Sequence, residues 1–153
     1  MSVIERLEKE KVSAMKSKIT LKDDASELRL AVVRSALAAL IAAETSGKIR
    51  KELSDEEAIS VLRKAIKQRR ESAEIYRSSS AIERADREDA EADILEEFVP
   101  KVLAEEDTRL LVSKLIKENS LEGVQSMGKL MSLIKDRTDL DKSIVSKVAR
   151  ELL

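Results

Sequence analysis

One proline, Pro100, and three glycines are the only strong helix breakers among 153 residues. Between them the chain is filled with Ala, Leu, Glu, Lys and Arg, the residues that lose least on entering a helix. Breakers this sparse predict an all-α, multihelical chain. Pro100 has no amide hydrogen and disfavours helical backbone in the residue before it, so it marks the hardest stop. A domain boundary is expected there. Residues 1–100 form a larger N-terminal helical subdomain of four helices, and residues 101–153 a small three-helix C-terminal subdomain.

Apolar spacing and capping residues place the helices. Ser2 with Glu5 fits a capping box, opening a first helix over about residues 3–18 with Ile4, Leu7, Ala14 and Met15 near one face. A second helix, about 27–45, starts at Asp24 or Ser26 and stops at Gly47. Leu28, Leu30, Val33, Leu37, Leu40 and Ile41 cover most of its circumference, which predicts a central position. Ser54 with Glu57 opens a third helix running to about Ser78, with Ile59, Leu62, Ile66, Ala73 and Tyr76 on one face. The turn at Ser78, Ser79 and Ser80 is short enough to force an antiparallel return. A fourth helix, about 82–99, buries Ala85, Ala92, Leu95 and Val99. Three amphipathic helices follow at about 105–119, 123–136 and from Asp139 or Asp141 to the end. With Tyr76 and Phe98 the only aromatics, the core must be aliphatic.

Charge is segregated within the hairpin 54–100. Five cations and no anion fall between Arg63 and Arg70, and eight carboxylates against Arg84 and Arg87 between Glu83 and Glu97. Long cations on one helical face can meet successive phosphates. Antiparallel acids can equally neutralise them. Internal pairing is expected for Lys64 and Arg69; Arg69 lies inside the apolar arc and needs a partner, Glu88 or Glu91. Arg63, Lys67 and Arg70 form a separate stripe at i, i+4, i+7 spacing, open to either role. Lys129, Lys135 and Arg137 are a second candidate group, within six cations against four acids from Val124 onward. Gly128, inside a helical pattern, is expected to allow a close helix approach.

No Cys and no His are present, which removes thiol nucleophiles, the commonest general base, disulfides and the usual zinc sites. The acids of the fourth helix lack metal-ligand spacing. No catalytic residue, cofactor or metal is therefore expected. A net charge of −1 and pI near 5.8 provide no global field toward nucleic acid, so any such contact needs a local patch. The first residues are charged too early for a secretory signal, and the longest apolar stretch, 35–43, is too short to span a bilayer. A soluble cytoplasmic protein without membrane contact is expected.

Several short pieces occur in a telling order: Leu28-Arg29-Leu30 with Val33-Arg34; the run Glu52 to Glu57; Lys67-Gln68-Arg69-Arg70-Glu71-Ser72 with Tyr76; Glu88, Glu91 and the run Leu95 to Pro100; then Met127-Gly128-Lys129 and Met131. Together they resemble YqeY-like proteins of the GatB/YqeY family over nearly the whole chain. The resemblance implies a two-part helical fold. It also implies kinship with the tail of the GatB subunit of tRNA-dependent amidotransferases, carbon–nitrogen ligases that use glutamine as amido donor. Their catalytic domain has no counterpart here, so enzymatic activity of the chain alone is not expected. The implied role is a noncatalytic tRNA-associated binding module, with Arg63, Lys67, Arg70, Lys129, Lys135 and Arg137 as phosphate contacts. The alternative is a protein-interaction adaptor for an amidotransferase or aminoacyl-tRNA synthetase complex. The chain departs from the family pattern at Ser80-Ala81, at Ser132 and in the glycine-free loop 135–140.

Overall fold

The computed structural model describes all 153 residues as seven α-helices and one 3₁₀ turn, with no strand. No helix is long and apolar enough to cross a membrane. The chain divides into two compact units, Met1–Val99 and Pro100–Leu153.

The first unit contains α1 (Val3–Leu21), α2 (Asp24–Glu44), α3 (Asp55–Ser78) and α4 (Ile82–Glu96). Capping boxes open α1 at Ser2 and Glu5 and α3 at Ser54 and Glu57, each hydroxyl and carboxylate satisfying an amide at the helix start. The α1–α2 corner turns on Lys22, which adopts a left-handed φ of 50°. Asp23 caps α2 by accepting from the Ser26 amide at 2.7 Å. Neither Asp24 nor Ser26 is the cap, because the extended backbone of Asp23 aims its carboxylate back at the first turn. At its far end α2 closes on Thr45, whose hydroxyl donates to the Ile41 carbonyl at 2.9 Å, two residues before Gly47.

Helix α2 packs against α1, α3 and α4. Val32, Val33, Leu37 and Leu40 are buried there, and Leu7, Leu62, Leu95 and Phe98 join them in one largely aliphatic core. Its cover is incomplete, contrary to the expectation from its apolar circumference. Ala31, Ser35, Ala38, Ile41 and Ala42 are exposed, because three packing partners occupy only one side.

Helix α4 ends at Glu96, earlier than expected. Arg6 donates to the carbonyls of Glu97 at 2.8 Å and Phe98 at 3.4 Å, a cation on the last carbonyls of a helix. The chain turns there to bury Phe98. The guanidinium groups of Arg6 and Arg29 lie 5.6 and 6.0 Å from its ring centroid.

The second unit contains α5 (Glu105–Glu118), a 3₁₀ turn at Val124–Ser126, α6 (Met127–Leu133) and α7 (Lys142–Leu152). Val112, Leu121, Leu130, Ile134, Leu140, Val145 and Val148 form its core. Helix α6 is shorter than the expected 123–136. Gly123 at φ 74° leads into the 3₁₀ turn, and the chain breaks after Ile134 so that Leu140 can also be buried. Asp141 caps α7 through the amides of Ser143 at 2.8 Å and Ile144 at 3.4 Å, whereas the Asp139 carbonyl accepts from the Leu103 amide at 2.8 Å.

Candidate nucleic-acid interface

The basic face of α3 lies along the acidic face of α4, and an ion network joins them. Arg70 is its hub. It reaches Asp89 at 2.9 Å, Asp93 at 2.6 Å and Glu96 at 3.1 Å, and also donates to the Asp89 carbonyl oxygen at 3.2 Å. About two turns nearer the hairpin end, Arg77 pairs with the same Asp89 and, at 3.4 Å, with Asp86. Two cations on one carboxylate hold the Asp89 pKa below the ordinary range, Arg77 contributing most and Arg70 next.

Arg69 faces a different way. It meets Glu91, not Glu88, at 3.3 Å, and donates to the Ser35 hydroxyl of α2 at 3.4 Å. Each member of the Arg69–Glu91 pair is 19% exposed, so little water competes for them. Arg87, one turn before Glu91, shares that carboxylate at 3.4 Å.

The stripe at Arg63, Lys67 and Arg70 is thus divided. Arg70 is committed to three carboxylates, Arg63 is half-buried, and Lys67 is exposed outside the network. Lys64, expected to pair within the hairpin, is also exposed and forms no ion pair with α4. In the second unit Arg137 forms a two-pronged pair with Asp139, at 2.9 and 2.6 Å. Lys129 and Lys135 are exposed and outside every ion pair. Gly128 makes no close helix approach: a Cβ placed on it meets nothing within 4 Å.

No group of three or more acidic side chains is arranged to hold a metal ion. A cleft beside the start of α2 carries both signs of charge, with Lys18, Glu27, Asp86 and Arg87 in its wall, so it favours neither an anion nor a cation.

Sequence reasoning missed the cluster at the end of α4. Arg29 pairs with Glu10 of α1 and, at 2.6 Å, with Glu97, beside the buried Phe98. It also missed Asp55, whose carboxylate accepts from the Val3 amide at 2.7 Å and so ties the start of α1 to that of α3. Arg29 and Glu97 lie in motifs that carry the family resemblance, a signal that something holds them. Asp55 lies in such a motif too, the run Glu52 to Glu57, whereas Arg6 had no such signal; the partners of both are backbone groups far along the chain.

Fold and charge together define the class: an all-helical two-unit protein with an ion-zipped hairpin and exposed lysines on its second unit. The sequence matches the YqeY-like protein family over residues 4–153, and the chain belongs to that family. A search among curated proteins found no match.

Proposed function

We propose that the chain is a noncatalytic binding module for tRNA, akin to the tail of a tRNA-dependent amidotransferase. The observation that carries this reading is that Lys67, Lys129 and Lys135 are exposed and uncommitted while the arginines around them hold carboxylates. A lysine ammonium free of carboxylate can release counterions from a phosphate backbone, whereas Arg70 and Arg137 must first exchange a bound carboxylate. Of the six candidate contacts, these three lysines therefore carry the binding. Affinity for tRNA is expected to fall steeply between low and physiological salt. A Lys67/Lys129/Lys135→Glu triple variant should lose it with its circular dichroism spectrum unchanged. Absence of tRNA binding by the wild-type chain at low salt overturns the reading.

A second reading, an adaptor for an amidotransferase or synthetase complex, is favoured by Ile75 and Ile82. These residues flank the α3–α4 turn and are 69% and 51% exposed. A partner captured by the wild-type chain after nuclease treatment, and lost on Ile75→Ser/Ile82→Ser, supports that role; one retained by the variant counts against it.

A further inference from the structure

Helix α1 has two apolar faces, and the chain itself covers only one. Val3, Leu7 and Ala14 are buried, on the side where α1 packs against α2 and α3. On the side turned away from that core, Val12, Met15 and Ile19 follow one another at i, i+3 and i+7. They are 49%, 40% and 72% exposed. Single exposed apolar residues are ordinary on a protein surface. Three in line at heptad spacing form a seam of the kind along which one helix takes another.

The edges of the seam decide what fits it. With Val12 and Ile19 at a and Met15 at d of a seven-residue repeat, the flanking e and g positions are Lys9, Lys11, Lys16 and Lys18. All four are lysine. Lys9 and Lys16 are exposed and outside every ion pair. Lys11 meets Glu8 at 2.7 Å and Lys18 meets Glu27 at 3.8 Å, in pairs open to water and therefore weak.

A second copy of the chain does not suit these edges. Laid parallel, Lys11 of one copy would face Lys16 of the other; laid antiparallel, Lys9 would face Lys16, and Lys11 would face Lys18. Like charges oppose both arrangements. A membrane surface does not suit the seam either. The apolar line covers about 60° of the helix circumference, whereas a helix seated in a broad apolar surface presents about 100° or more. Glu5 and Glu8 also continue the same line toward the N-terminus.

We infer that the outer face of α1, Val12, Met15 and Ile19 edged by lysines, docks an amphipathic helix of another protein that is apolar at its own a and d positions and acidic along both flanks. The apolar side chains interdigitate over about two turns, and the partner's carboxylates meet the lysines on each edge. None of the residues that carry the tRNA reading is used, so either can fail alone.

The probe is a labelled synthetic helix of three heptads with Leu at a and d and Glu at e and g, whose own charges keep it from self-pairing. It is titrated with the full chain at low salt and read by fluorescence anisotropy. It should bind saturably, and a counterpart with Lys at e and g should bind at least about tenfold more weakly. Met15→Ser/Ile19→Ser should weaken binding by about tenfold or more. The melting temperature should hold, because both side chains are exposed. Lys9→Glu/Lys16→Glu should reverse the preference between the two peptides, and it decides the matter if the serine variant proves unstable. No binding of the glutamate peptide, or equal binding by the serine variant, overturns the inference. Equal binding of a proline-interrupted peptide of the same charge also overturns it, since charge alone then suffices. A wild-type dimer in sedimentation velocity that the serine variant abolishes gives the face to a second copy. Binding to phosphatidylserine vesicles that the same variant loses gives it to a membrane; either result overturns the inference.

Discussion

Arg70 and Lys67 stand one helical turn apart on the same stripe and have opposite fates. Arg70 is surrounded by Asp89, Asp93 and Glu96; Lys67 faces water. Exposed pairs contribute about 0.2–1 kcal/mol each, so Arg70→Met should cost about 1–2 kcal/mol in urea unfolding, while Lys67→Met stays within about 0.5 kcal/mol. Arg69 is less exposed, and Arg69→Met should cost about 1–3 kcal/mol by leaving Glu91 with Arg87 alone.

Asp89 makes the hairpin acid-sensitive. Its carboxyl titrates below the ordinary Asp value in the folded chain, because Arg77 and Arg70 favour the charged form. That contribution is present at neutral pH and is lost as pH falls through the folded value, below about 4. Stability measured from pH 7 down to about 5 should show no Asp89-dependent change, and Asp89→Asn should flatten the fall below that. Thr108 provides a contrasting case. It is fully buried and its hydroxyl oxygen has no hydrogen-bond partner. Thr108→Val should raise stability by about 1 kcal/mol, and a loss of that size would show that the hydroxyl is satisfied.

At the scale of elements, helix starts were the most legible feature. Ser2 with Glu5 and Ser54 with Glu57 are local patterns, and both capping boxes form. Glu57 is held below the usual carboxylate range, first by Lys51 and then by the Ser54 amide. Ser54→Ala should cost about 1 kcal/mol in thermal or urea unfolding. Helix ends were less legible. The end of α4 is decided by Arg6, more than ninety positions away in sequence, and by burial of Phe98. The shortening of α6 likewise follows from Leu140 reaching the core.

At the scale of the whole molecule, the two units differ in what each can bury. The first packs four long helices around a continuous core; the second closes a smaller cluster with shorter helices. A unit of roughly 50 residues is close to the size at which a core alone barely offsets chain entropy. Residues 1–99 expressed alone should melt cooperatively by circular dichroism. Residues 100–153 alone should melt at lower temperature and with a broader transition. A second unit as heat-stable as the first would show that its small core suffices.

The sequence by itself determined that the chain is helical, where most helices begin and which family it belongs to, because propensity, capping and apolar spacing act within a few residues. It also showed that cations and acids sit on consecutive helices. Tertiary structure alone decided which of those charges are spent on one another. Arg69 and Arg70 are adjacent in the chain, yet helical geometry turns one toward Glu91 and Ser35 and the other toward Asp89, Asp93 and Glu96. Lys67, Lys129 and Lys135 remain outside the pairing, and only the positions of the surrounding helices could separate them from their engaged neighbours.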